Sequence, residues 1–361
     1  MLYLHPQIMS RKVLFIVNPI SGTSDKNQIL EYIEQTLDRE LIDWEIAKTQ
    51  YAGHAMELAK QAADEGYDTV VAIGGDGTVN EVARSLIHTN TTLGIIPCGS
   101  GNGLARHLEI SQDYKKAVDI IQNGIVHTID YGLVNNLPFF CTCGVGFDAF
   151  VSLKFASAGK RGLLTYLENT LVEGLRYKPE TYEIEDEEGS VKMKAFLIAC
   201  ANASQYGNNA YIAPDASMED GLLDVTVMEP FTVLDAPQIA FQLFNKTINK
   251  NSHIKTFRTR KLHIHRSGNG VIHFDGDPIL TGKDIDVEIV QAGLKVLTHS
   301  DAKFNFRENI LSVFSEYFND LSNVANAELK TQPKRFLVVN RALLRKLGKN
   351  SSGGNKHIEN S

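Results

Sequence analysis

The stretch Val70–Leu86, VVAIGGDGTVNEVARSL, passes from an apolar β-type run through a glycine turn into an amphipathic helical pattern. It contains neither GxxxxGK(S/T) nor GxGxxG. Its glycines can still bring several backbone N–H groups to one point, because glycine admits positive φ and leaves no Cβ in the path of an oxyanion. The helix that starts near Thr78 adds its positive end to the same spot, so the turn suits an anion. A plain tight turn capped by Asp76 would look the same in isolation. A second loop separates the two readings: Pro97–Arg106, PCGSGNGLAR, again follows a strand and opens a helix. Two such loops lie together at the carboxyl ends of neighbouring parallel strands, where open α/β sheets bind ligands. A bare phosphate would be repelled by Asp76, which points instead to a nucleotide carried with Mg2+, or to a proton acceptor.

Around these loops, from Arg11 to about Asp130, short apolar runs alternate with helical patterns. KVLFIVNP (12–19), DWEIAKTQ (43–50) and DTVVAIGG (68–75) read as strands; NQILEYIEQTLDREL (27–41), with Ile29, Ile33 and Leu37 in helical spacing, and HAMELAKQAADEG (54–66), closed by Gly66, read as helices. Alternation of this kind means a parallel sheet covered on both faces. Past Tyr131 the texture changes to short β-rich runs separated by turns such as EEGS and SGNG, with helical interruptions near Leu163–Glu173 and Leu234–Asn249. That pattern predicts an antiparallel, hairpin-rich second domain. The expected segmentation is a tail at 1–10, an α/β domain at 11–133, a β-rich domain at 134–300, a helical extension at 301–350 and a disordered tail at 351–361.

Composition sets outer bounds. At 361 residues the chain is long enough for two cores, and 43% apolar with 22% charged residues is ordinary for a globular protein. A net charge of −7 argues against general nucleic-acid binding, and no run is long enough to cross a bilayer. The N-terminus lacks a basic region and a small-residue cleavage site, so a cytoplasmic location is expected, and sequons such as Asn90 carry no weight. Cys98, Cys141, Cys143 and Cys200 form neither a zinc pattern nor a disulfide framework.

Six motifs, FIVNPISG, GGDGTVNEVA, PCGSGNGLAR, GVGFDAFV, APDASMEDGLLDV and HFDGDP, occur in the order and spacing of the diacylglycerol kinase catalytic-domain family, which includes diacylglycerol, sphingosine and ceramide kinases. The chain resembles that family from about Arg11 to Leu297. The resemblance implies an α/β fold: a phosphofructokinase-like N-terminal domain with a parallel sheet, then an antiparallel β-sandwich domain whose last strands return to the first. It also implies an ATP- and Mg2+-dependent lipid kinase with its active site between the two. Carried over by motif position, ATP would meet Asn18, with Gly22 nearby, Thr49, the run Gly75, Asp76, Gly77, Thr78, Asn80 and Glu81, and Ser100. SMEDGLL would hold Mg2+ through the Asp220 carboxylate and the carbonyls of Ser217 and Leu222, oxygen ligands that suit a hard cation.

The chain departs from the family at two points. The family's DGE motif reads FDGDP, placing Asp277, one methylene shorter, where a glutamate would take the lipid hydroxyl proton; Asp76 is the second candidate base, and a hairpin turn is the alternative for Asp275–Asp277. The second loop lacks the acidic residue of bacterial diacylglycerol kinases, which tilts the acceptor toward a sphingoid lipid. Asp148 matches an acidic residue that contacts the lipid head in sphingosine kinases, or else caps the helix that follows. His263, His265 and His273 receive no role, and Lys154, Lys160 and Arg161 read as a solvated charge run. A helix around Phe336–Lys349, apolar on one side and basic on the other, is expected either to assist peripheral docking on a membrane surface or to pack on the protein. The expected partners are ATP, a lipid acceptor and that membrane surface, with no nucleic acid; a homodimer is compatible with the sequence. An NAD kinase, sharing GGDGT, and a non-catalytic lipid-binding relative are the alternatives.

Overall fold

Strand β1 (Arg11–Val17) buries five consecutive residues, Val13 to Val17, and pairs in parallel with β2 (Ile42–Lys48) and β3 (Thr69–Gly74). Beyond β3 lies β4 (Thr92–Pro97), also parallel, and every residue of β3 and β4 is buried, as a sheet covered on both faces requires. Helix α1 (Lys26–Thr36) buries Ile29 and Ile33, and the Asp25 carboxylate caps it by accepting the Asn27 N–H. Helices α2 (His54–Asp64), α3 (Asp76–Leu86), α4 (Gly103–His107) and α5 (Tyr114–Asn123) complete the layers; Gly66 closes α2 at φ +76°.

These details come from a computed structural model that describes residues 10–22, 25–158, 177–232 and 234–299, without the side chains of 154–158. The helical patterns expected at 163–173 and beyond 300, the tail at 351–361, Lys160, Arg161 and the Lys154 side chain lie outside the described residues. The described residues fall in one unit, Met1–Phe304.

The remaining elements are β5 (Ile125–Val134), β6 (Leu137–Phe139), β7 (Thr142–Gly146), α6 (Phe147–Ala158), β8 (Glu180–Asp186), β9 (Gly189–Ala195), β10 (Leu197–Ala201), β11 (Leu223–Met228), α7 (Ala236–Phe244), β12 (Ile254–Thr259), β13 (Lys261–Arg266), β14 (Gly270–Phe274), β15 (Asp277–Thr281) and β16 (Asp284–Thr298). One sheet runs β2-β1-β3-β4-β16-β13-β8-β9, with β5 and β6 attached through β16; a second, antiparallel sheet runs β12-β11-β10-β7-β14-β15. The 15-residue strand β16 joins the two halves of the first sheet. Val296 aligns in parallel with Leu93 of β4, while β5 and β13 pair with β16 antiparallel. Its register shifts between Val290 and Leu294, where Ala292 takes φ +51° and gives its N–H to the buried Asp130 carboxylate at 2.7 Å.

The two sheets face each other across a core of Tyr182, Ile184, Leu262, Ile264, Ile285 and Val287 from one and Val145, Ile198, Cys200, Val225 and Ile272 from the other. Strand alternation then sends Leu197, Ala199 and Ala201 to the opposite face of the second sheet, against Phe147, Val151 and Ile239 of α6 and α7. The α/β layer and β sandwich expected from the sequence are both present.

Candidate active site

Three loops meet at the carboxyl ends of β1, β3 and β4. In the first, the Asn18 N–H donates to Ile73 O at 3.1 Å, and its side-chain amide donates to the Thr78 hydroxyl at 3.1 Å. Gly22, at φ +63°, lies so close to the Cys98 carbonyl that a Cβ would come within 1.6 Å of it. Gly75 and Gly99 abut: a Cβ on Gly99 would approach the Gly75 Cα to 2.8 Å. Only glycine permits this approach, which brings two helix N-termini, those of α3 and α4, to the same place.

Asp76 is the first residue of α3, but its carboxylate serves the other loop. Its Oδ2 accepts the Asn102 N–H at 2.8 Å and its Oδ1 accepts the Gly103 N–H at 2.7 Å, so it caps α4 across the loop junction. The tight-turn alternative has Asp76 capping its own turn, whereas its carboxylate binds the neighbouring loop. Thr78 and Asn80 are buried in the first turns of α3, whereas Gly77 and Ser100 are exposed at the mouth. Thr49 follows β2 beside this site, its N–H donating to Val17 O at 2.9 Å. Glu81 is engaged differently: its carboxylate accepts the Gly53 and Ala55 N–H groups at 2.9 and 3.1 Å and so caps α2.

The FDGDP segment is a two-residue hairpin between β14 and β15, with Asp275 at φ +51° and Gly276 at φ +87°. The Asp275 carboxylate accepts three backbone N–H groups, from Phe140, Cys141 and Thr142, at 2.8, 2.7 and 3.1 Å. Desolvation still pushes its pKa up to about 6 against those donors. Asp277 opens β15 with its side chain 62% exposed, and Arg84 of α3 lies 3.7 Å from it while also covering the Phe274 ring. The hairpin is present as expected, and Arg84 links Asp277 to the helix that begins at the first glycine loop.

Asp148, in the first turn of α6, does not cap that helix with its side chain. Its Oδ2 accepts the Tyr206 hydroxyl at 2.9 Å and lies 2.8 Å from Nε2 of the buried His273. The Tyr206 segment leads back to the second glycine loop, where the Asn208 N–H donates to Gly101 O at 2.9 Å.

The SMEDGLL loop is braced elsewhere. The Asp130 carboxylate accepts the Gly221 N–H at 2.8 Å, and Asp220 Oδ1 accepts the Leu222 N–H at 3.1 Å. Arg258 stands 3.7 Å from Asp220 Oδ2 and 3.0 Å from Asp224. Carboxylate and carbonyl oxygens fit a hard cation there, with Arg258 as a competing positive charge.

Arg84, Tyr206, His273 and Asp275 were not singled out from the sequence as site residues. Their partners come from α3, α6 and the 140–142 segment, far away in the chain.

The fold and this arrangement define a phosphotransferase class in which paired glycine loops open a helix that Arg84 links to a carboxylate-bearing hairpin. Residues 12–134 match the diacylglycerol kinase catalytic domain, and residues 141–298 match the YegS C-terminal NAD kinase beta sandwich-like domain. The chain belongs to the diacylglycerol kinase catalytic-domain family and is a lipid kinase by that membership. It is 28% identical over 272 residues to the diacylglycerol kinase of Bacillus subtilis, covering 74% of this chain and 90% of that protein. It is 29% identical over 299 residues to that of Mycobacterium tuberculosis, covering 79% and 94%. An uncharacterised Synechocystis protein is 31% identical over 249 residues, but the match spans 65% of this chain and only 58% of that protein. The fold is shared with a Bacillus anthracis diacylglycerol kinase structure at TM-score 0.63 and 21% identity, over 81% of this chain and 98% of that one.

Proposed function

We propose that the chain transfers the γ-phosphoryl group of ATP to the hydroxyl of a lipid, with Mg2+ required. The observation that carries this is the meeting of the Gly75 and Gly99 loops at two helix N-termini, with Asp277 joined to the same helix through Arg84. The backbone N–H groups of the loops, with Asn18, Thr78 and Ser100, hold the phosphates; Thr49 lies at the edge, and Glu81 acts indirectly by fixing the start of α2.

Asp277 is the base of choice. Both oxygens of Asp76 already accept backbone N–H groups, whereas Asp277 is exposed and held by a single long ion pair. In the transfer, the lipid oxygen forms its bond to Pγ as the bond from Pγ to the β-bridging oxygen breaks; the hydroxyl proton passes to Asp277 and ADP leaves. Asp148 meets the polar head of the acceptor. Ser217, Asp220 and Leu222 would hold Mg2+, which supplies charge neutralisation when bound. No helix among the described residues is long and apolar enough to cross a membrane; the acceptor hydroxyl, at headgroup level, is met at a membrane surface in this reading.

Asp277→Asn at saturating ATP should lower kcat by about 10²–10⁴-fold with little change in ATP affinity, and Asp277→Glu should restore much of the loss. An Asp277→Asn enzyme with unaltered kcat would remove it from this role.

A further inference from the structure

Near the glycine loops lies a buried acid–base pair, His273 and Asp148, that those loops do not need. His273 is 1% exposed; its Nε2 lies 2.8 Å from Asp148 Oδ2, the oxygen that also accepts the Tyr206 hydroxyl. Gly144 makes room for the pair, since a Cβ there would come within 2.7 Å of Asp148 Oδ2 and 3.1 Å of His273 Nε2. Contacts on either side tie the pair to the transfer site. Tyr206 belongs to the segment bonded to Gly101, and β14 runs from His273 into the Asp275–Asp277 hairpin. Burial opposes a charge on this ring, but Asp148, with Asp275 and Asp277, outweighs it and holds the imidazole pKa above its ordinary value. Neither ring nitrogen of His273 makes a well-aligned hydrogen bond among the described residues, so Nε2 is tied to Asp148 as a close ion pair and Nδ1 is buried and unpaired.

We propose that His273 is a specificity-determining residue: it is the fixed internal counter-charge of Asp148, and it makes this end of the cleft a site for a neutral lipid hydroxyl rather than an ammonium-bearing sphingoid base. The inference rests on the lipid-kinase reading and on Asp148 meeting the acceptor. A carboxylate with one oxygen already shared by an imidazolium and a phenol has its charge offset, yet keeps its other oxygen to accept a hydroxyl. An ammonium brought to the same carboxylate would meet the imidazolium in a desolvated space, where like charges are costly. Asp148, which read alone matches a head-contacting residue of sphingosine kinases, takes a different meaning once His273 is beside it.

The test uses the full chain, labelled ATP and mixed micelles carrying equal mole fractions of diacylglycerol, ceramide or sphinganine. The wild type should favour a neutral lipid over sphinganine by at least about tenfold in kcat/KM. His273→Gln, its fold checked by thermal melting, keeps an N–H toward Asp148 but loses the charge; it should raise the sphinganine-to-neutral ratio about tenfold or more, and adding Asp148→Asn should abolish that gain. Equal use of sphinganine by the wild type overturns the proposal whether or not the variant folds. So does an equal loss on all three lipids in His273→Gln, which would mark a merely structural side chain. No transfer to any lipid would instead overturn the kinase reading, and this inference with it.

Discussion

Asp76 and His107 show how much a single side chain decides here. Asp76 spends both carboxylate oxygens on backbone N–H groups of the neighbouring loop, which makes it the brace between the two phosphate cradles. Asp76→Asn keeps one acceptor but presents an amide N–H to a backbone donor, leaving a group unsatisfied at a cost of about 1–3 kcal/mol. ATP affinity measured by calorimetry should therefore fall at least about tenfold; unchanged affinity with abolished turnover would make Asp76 the base instead. His107 is buried and accepts the Ser204 N–H on Nδ1 at 3.1 Å, so the ring is neutral, and burial depresses its pKa from 6.5 to about 4. Because the unfolded chain binds the proton that the folded one refuses, His107 costs stability as pH falls from about 6.5 toward 4, by up to ~3 kcal/mol. Denaturant melts of wild type and His107→Gln should differ in acid slope across that window and run parallel above it. The roles of Asp76 and His273 could not be read from the sequence, because each depends on a partner on another element: Asn102 and Gly103 in one case, Asp148 in the other.

The glycine loops are the elements whose purpose was legible, since strand, glycines and amphipathic helix succeed one another within a few residues and the physics is local. What spacing could not reveal is that the loops touch. A methyl group on Gly99 would press on the Gly75 Cα and on Asn102 Oδ1 at 2.7 Å. Gly99→Ala should push the loops apart, raise KM for ATP about tenfold or more and leave the melting temperature within a few degrees, because the strain of about 1–3 kcal/mol falls on a loop rather than on the core. An unchanged KM would deny the close approach a part in nucleotide binding. The hairpin at Asp275–Gly276 was equally legible as a turn. Its use was not, because the N–H donors that anchor it lie at 140–142.

On the scale of the whole molecule, the alternation of strands and helices and the later hairpins foretold two layers, but no local pattern specifies that β16 bridges β4, β5 and β13. Long-range pairing is set by the total apolar surface that the fold can bury, which sequence periodicity does not express. The bridge predicts that the α/β part and the sandwich melt together. Fluorescence of the single tryptophan, Trp44 on β2, and far-UV circular dichroism should trace one coincident thermal transition. A Trp44 transition several degrees below the dichroism change would show the halves to be independent.

The most direct measurement of the central claim is the fate of a labelled γ-phosphoryl group when the protein is given ATP and Mg2+ with diacylglycerol, ceramide, sphinganine, monoacylglycerol or NAD. The account predicts label in the organic phase, on a lipid whose mobility names the acceptor. Label carried by NAD, or released only as free phosphate, would contradict it.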